Sequence, residues 1–284
     1  MNNTGTLIVA ISLMIIMFGM GLSLTSEDFK RVARNPKAVV LGLVNQLVFL
    51  PIIGFVLVST LDLMPEIAIG IMILAACPGG ATSNVIALLA KGDTALSVTL
   101  TAISSIITII TIPFIVQFAL VEFSGEGGQV TLNVLQMIVQ LLMIVIVPVF
   151  LGMLIRAKAT SFALKMGKPV QIASVILLVL IITGLLIKEK HNIVPYFKQA
   201  GLPAVLLSSI SMVLGYVSAS SFKLRKPQAI SIAVESGIQN SGLAITIAVV
   251  TLKNTAFGIA GAIYTLVMYL VAFFIIIYGR YNKS

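Results

Sequence analysis

The stretch Cys77-Pro78-Gly79-Gly80-Ala81-Thr82-Ser83-Asn84 decides how this chain is read. It interrupts an apolar run with a proline, which has no N–H for a helical hydrogen bond, and with paired glycines, which resist ordering into a helix. A second stretch, Glu235-Ser236-Gly237-Ile238-Gln239-Asn240-Ser241-Gly242, interrupts another apolar run with two glycines and side chains that compete for backbone hydrogen bonds. A proline kink lined with small residues for close packing would explain either stretch alone. Two such stretches are better explained by a pair of broken helices. Gly80-Ala81-Thr82-Ser83-Asn84 is similar to Gly237-Ile238-Gln239-Asn240-Ser241, and the two lie in runs expected to cross in opposite directions. Paired interruptions of this kind are the sequence pointer to an inverted-repeat secondary transporter, whose ligands bind near the bilayer midplane.

Working outward, the surroundings of both stretches are oil. The 284 residues are 59% hydrophobic and only 10% charged, against roughly 25% charged in an ordinary soluble protein. The expected fold class is an all-α polytopic membrane protein. A bilayer core takes about 20 apolar residues per helix, and nine runs qualify: residues 5–24, 38–61, 67–90, 95–121, 131–156, 170–187, 202–222, 229–252 and 257–279. Met1-Asn2-Asn3-Thr4-Gly5 carries no basic leader, so the first run is expected to span and not to be a cleaved signal. The net charge of +9 lies in the gaps between runs, which marks topology and not a nucleic-acid partner. With the N-terminus outside, the inside segments hold fourteen basic residues, from Lys30 and Arg31 through Arg156 and Lys158 to Arg280 and Lys283. The outside segments hold Lys188, Lys190, Lys198 and Lys253. The expected arrangement in a cell's inner membrane is therefore N-out and C-in. Asp62, Glu66, Glu122, Glu126 and Glu189 fall outside, and three acids fall inside. Lone Cys77 excludes a disulfide framework, and lone His191 excludes a His-cluster metalloenzyme. No enzyme chemistry and no obligate protein partner is indicated; the expected partners are the bilayer and a small organic anion.

One acid lies inside a span. Glu235 is about seven residues, or roughly 10 Å at 1.5 Å per residue, past the polar boundary at Lys226-Pro227-Gln228. A carboxylate there costs at least ~2.5 kcal/mol on insertion scales and needs a partner, a cavity, a proton or a cation. Apart from Arg156 at the inside end of the run 131–156, no span contains Lys or Arg, so a cation or proton from solution is the leading candidate. Gln46, Asn84 and Thr101 on other spans lie at a similar depth, with Ser97 and Gln239 within about a helical turn. These are hard oxygen donors, suited to Na⁺ or a proton. Ser97, Thr101, Ser104, Thr108 and Thr111 form a stripe along one helical face, whose ordinary explanation is hydroxyls bonding back to their own helix. Freed N–H groups near Thr82 to Asn84 and Asn240 to Gly242 are expected to suit an anionic head.

The residues resemble the bile acid:sodium symporter family. The resemblance rests on Ile16-Met17-Phe18-Gly19-Met20-Gly21-Leu22, on Cys77-Pro78-Gly79-Gly80 with Ser83-Asn84-Val85, on Ala95-Leu96-Ser97-Val98, and on Glu235 with Gly237 and Gln239-Asn240-Ser241-Gly242-Leu243-Ala244. It covers nearly the whole chain, which is similar to the nine-span form lacking the first helix of the usual bacterial members. The resemblance implies a panel domain (5–24, 131–156, 170–187) that moves against a core domain (38–61, 67–90, 95–121, 202–222, 229–252, 257–279), in which two broken helices cross. It implies two Na⁺ as coupling ions. One site would use Ser83, Asn84, Ser97, Thr101 and Glu235; the other would use Gln46, Glu235 and Gln239 with the carbonyls of Ser236 and Ile238. The implied substrate region holds Ala81, Thr82, Asn240, Ser241, Met268 and Tyr269, with Ala81 where the family has threonine and Met268-Tyr269 where bile-salt-binding bacterial members have His-Asn. The implied activity is sodium-coupled import of an organic anion by alternating access, the anion being a bile acid or a smaller carboxylate. The alternatives are a proton-coupled carrier, an arsenite-type efflux carrier using Cys77, or a non-concentrative channel.

Overall fold

A computed structural model of the chain describes residues 3–124 and 132–281. Met1, Asn2, Glu126, Lys283 and the first residue of the run expected at 131–156 lie outside the described residues. Among the described residues, seven helices are long and apolar enough to cross a membrane. They are α1 (Asn3–Ser23), α3 (Pro36–Thr60), α6 (Thr94–Phe123), α7 (Val134–Lys158), α8 (Thr160–Lys188), α9 (Ile193–Ser221) and α12 (Thr255–Tyr281). The short α2 (Ser26–Arg34) fills the gap after α1 and is capped where Asp28 Oδ2 accepts from the backbone N–H of Thr25 at 2.8 Å. The two interrupted runs appear as half-helix pairs: α4 (Pro65–Ala76) with α5 (Ala81–Leu89), and α10 (Lys226–Gly237) with α11 (Ser241–Thr251).

Position in the fold follows composition. Every residue of α4 from Ile67 to Ala76 and of α10 from Gln228 to Gly237 is buried, so the first halves of the broken helices lie at the centre of the molecule. The long helices leave large apolar side chains exposed, among them Leu7, Ile110, Phe150, Leu180 and Phe274. An all-helical chain with an oily exterior hydrogen-bonds its own backbone and suits a hydrocarbon solvent.

Prolines are absorbed in two ways. In α3 and α7 the helix widens to π-type hydrogen bonding at Asn45–Phe49 and Leu142–Ile146, directly ahead of Pro51 and Pro148. A widened turn accommodates the missing N–H and relieves the ring's clash with the preceding turn. In α8 and α9, Pro169 and Pro203 lie within continuous helix. This corrects two expected boundaries: the run placed at 170–187 begins at Thr160, and the run placed at 202–222 begins at Ile193. Lys165, Lys168 and Pro169 read as loop, yet they sit on an exposed face of α8.

The breaks themselves are shorter than their sequence stretches. Helix resumes at Ala81 after the first, and Glu235, Ser236 and Gly237 are still helical before the second. Cys77, Gly80 and Ile238 are extended. Extended segments running past one another can pair, and here Gly79 and Gln239 form an antiparallel bridge. Gly80 N–H donates to Ile238 O at 3.2 Å, and Asn240 N–H donates to Pro78 O at 2.9 Å. Backbone that would be orphaned in hydrocarbon is thus satisfied by the other break. At Gly79 a Cβ would fall well inside contact distance of Glu235 Oε2, so any side chain there must displace the carboxylate.

Candidate functional site

Glu235 occupies the last turn of α10, 3% exposed. The four ion pairs among the described residues do not involve it. Its carboxylate accepts instead from the hydroxyls of Ser83 on α5 and of Ser97 and Thr101 on α6, the last at 2.9 Å. Ser97 Oγ also lies 2.9 Å from Asn84 Oδ1, and Thr101 Oγ1 lies 3.4 Å from the same oxygen. The structure therefore brings buried Ser83, Ser97, Thr101 and Glu235 together with half-buried Asn84 in one cluster.

The cluster is short of protons. Three hydroxyls supply three, while the acceptors within their reach include both Glu235 oxygens, Asn84 Oδ1, Gly80 O at 2.6 Å from Ser83 and Ser97 O at 3.1 Å from Thr101. An excess of oxygen lone pairs around an uncompensated carboxylate is the donor set of a hard cation. The residues fit Na⁺ on this ground.

The second residue set converges about the same carboxyl group's backbone. Gln46 Nε2, within the π-turn of α3, donates to Cys77 O at 2.8 Å and to Gln239 Oε1 at 2.7 Å. Gln239 Nε2 donates to Ser236 O at 2.8 Å and to Glu235 O at 3.3 Å. Gln46 Oε1 is buried and has no hydrogen-bond partner. An orphaned acceptor beside a ring of carbonyls also fits a cation. The Ile238 carbonyl accepts from Gly80 N–H in the bridge between the breaks, and like the others keeps a second lone pair.

The stripe on α6 divides. Ser97 and Thr101 face Glu235, while Ser104 and Thr108 bond back to the carbonyls of Thr101 and Ser105. Of the N–H groups at the two half-helix starts, Ser83 is taken by Gly80 O, Asn240 by Pro78 O, Ser241 by Gln239 O, and Leu243 by the capping Asn240 Oδ1, whereas those of Thr82, Asn84 and Gly242 have no acceptor among the described residues. Ser208 and Tyr264 were not singled out in the sequence. Their hydroxyls both donate to Gly237 O at 2.9 Å and satisfy the end of the first half-helix of the second break. Nothing in their local sequence distinguishes them from ordinary helix residues. Cys77 is fully buried, and no group of three or more His, Cys, Asp or Glu placed to hold a metal occurs among the described residues.

Beside the breaks lies a cavity of about 410 Å³, lined by α1, α8 and both half-helix starts. Ala81, Thr82, Asn240, Ser241, Met268 and Tyr269 all line it. Ser23, Arg156, Gln171 and Ser174 line it too, and none of these was read as a site residue from sequence.

An oily helical exterior, a buried oxygen-rich cluster at two crossing breaks and an adjoining ligand-sized cavity are the anatomy of a membrane transporter. The chain belongs to the Sodium Bile acid symporter family, whose model matches residues 10–195. It is similar to a sodium-dependent transporter of Bacillus subtilis, with 34% identity over 84% of this chain and 73% of that protein. It is also similar to a probable chloroplastic sodium/metabolite cotransporter of Oryza sativa subsp. japonica, with 27% identity over 87% of this chain and 58% of the rice protein's length. The human ileal sodium/bile acid cotransporter is 28% identical over 84% of this chain and 68% of its own length. These are transporters, and the chain is not an enzyme.

Proposed function

We propose that the protein imports an organic anion, a bile acid or a smaller carboxylate, coupled to two Na⁺ by alternating access. The observation that carries this reading is Glu235, buried without a basic mate among hydroxyl and amide oxygens that outnumber the available protons. One ion would lie among Ser83, Asn84, Ser97, Thr101 and Glu235. The other would lie among Gln46, Glu235 and Gln239 with the carbonyls of Ser236 and Ile238. The anion would enter the cavity beside Ala81, Thr82, Asn240, Ser241, Met268 and Tyr269.

In this reading the seven long helices and the two broken pairs make nine crossings of an inner membrane, N-out and C-in, built as an inverted repeat. The panel comprises α1, α7 and α8, and the remaining crossings make the core. Packing of α1 against both α7 and α8 supports that division. The cavity runs from the breaks to the basic end of α7, which the charge pattern assigns to the cytoplasm.

Two Na⁺ and one monovalent anion moving together carry one net charge. A tenfold sodium gradient supplies about 2.8 kcal/mol, and the membrane potential about 2.3 kcal/mol per 100 mV. Together they support accumulation of roughly several thousand-fold. The test is uptake into proteoliposomes with an inward sodium gradient. Uphill accumulation that vanishes in choline buffer and in Gln239→Ala is expected. Accumulation driven equally well by a proton gradient, or equilibration without accumulation, would refute sodium symport.

A further inference from the structure

Arg156, counted in the sequence as a marker of topology, stands in the last turn of α7. Among the described residues that line the cavity it is the only one with a charged side chain. Its position is fixed by packing. Gly152, one turn earlier, lies against the backbone of Phe18 and Gly21, which holds this end of α7 beside the end of α1, where Ser23 shares the cavity wall.

No carboxylate among the described residues pairs with it. On this side of the molecule Glu27 pairs with Lys30 and Arg34, Asp28 with Arg31, and Asp93 with Arg225. A residue needed only for topology has no reason to face the cavity. Lys158, two residues on, is exposed and does not line it.

The far end of the cavity is polar but uncharged. Thr82, Asn84, Asn240, Ser241 and Gly242 stand there; the N–H groups of Ser83, Asn240, Ser241 and Leu243 are taken within the breaks, which leaves those of Thr82, Asn84 and Gly242 as uncharged donors. Between the two ends, α1 contributes wall from Ile16 to Ser23, roughly 10 Å of helix. The lining is thus cationic at one end, neutral and hydrogen-bonding at the other, and mainly apolar between.

We propose that Arg156 is the specificity-determining counter-charge for the transported anion. It receives the acid group of an amphipathic carboxylate at the cavity mouth, while the apolar body lies along α1 and α8 and any hydroxyls reach Thr82, Asn240 and Ser241. A guanidinium grips a carboxylate with two parallel hydrogen bonds, which an ammonium cannot reproduce. The inference rests on the transport reading for its substrate class and not for the binding it predicts.

The experiment measures binding to the purified full chain of cholate and of pantoate, each against its uncharged methyl ester, with and without sodium. The native chain is expected to prefer acid over ester at least tenfold for one of the two. Arg156→Gln should abolish that preference and Arg156→Lys restore part of it, with ester affinity and sodium-dependent thermal stabilisation unchanged. Equal acid-over-ester preference in the native chain and the Gln variant, or no preference in the native chain for either acid, overturns the inference whatever sodium does. Arg156-dependent acid binding without any sodium effect supports it and removes the sodium-coupled reading instead.

Discussion

Replacing Glu235 by glutamine tests the cation reading with the least change of shape. The amide keeps the volume and one acceptor oxygen, but removes the charge on which Ser83, Ser97 and Thr101 converge. In sodium-free buffer two terms oppose each other. A lone buried carboxylate costs at least ~2.5 kcal/mol on insertion scales. Hydroxyl bonds to an ionised acceptor return about 1.5–3 kcal/mol each, some of which the amide loses. The two proteins should then melt close together. With sodium they should part. A cation about 4 Å from a carboxylate, at an effective dielectric of about 20, gains roughly 4 kcal/mol, so the variant's sodium affinity should fall on the order of a thousand-fold. At a sodium concentration about a hundred times the native Kd, the native chain gains about 2.7 kcal/mol and the variant almost nothing. The assay is thermal unfolding of the purified protein across a sodium series at constant ionic strength. Equal sodium stabilisation in both proteins would refute the argument, as would its absence from the native chain.

Other substitutions probe the supporting structure. Gly79→Ala drives a methyl group into Glu235 Oε2 and should cost about 1–3 kcal/mol of stability together with sodium stabilisation, read in the same melts. Tyr264→Phe removes one of the two hydroxyls on Gly237 O; a loss of about 1 kcal/mol is expected, with uptake retained because Ser208 still donates. Cys77→Ala deletes a fully buried thiol at about 1 kcal/mol and should leave sodium-driven uptake intact, whereas loss of transport with normal folding would revive a thiol-based mechanism.

What the chain disclosed in advance depended on the range of the interaction. Pro78, Gly79 and Gly80 announce a helix break because their effect is local to the backbone. Glu235 announces itself because a charge in hydrocarbon needs no neighbours to be anomalous. The meeting of Asn84, Ser97 and Thr101 with Glu235 was legible because they lie near one depth, whereas Ser83 came only from the family resemblance. Pro169 and Pro203 misled, since whether a proline ends a helix depends on what packs around it. Arg156 was legible as a charge and not as a cavity wall, because its orientation is set by Gly152 meeting α1, a contact between segments far apart in sequence. Ser208 and Tyr264 gave no signal, since a hydroxyl that caps a distant carbonyl is spelled like any other.

The antiparallel bridge at Gly79 and Gln239 has a mechanical consequence. Each interrupted helix closes the other's gap through a reciprocal pair of amide links, so neither can tilt or slide alone without stripping those links in a medium that offers no replacement. The crossing point behaves as a welded joint, and compliance must be found elsewhere. If the proposed alternating access holds, the sliding surface would be the seam of the cavity, where α1 and α8 face the half-helix starts.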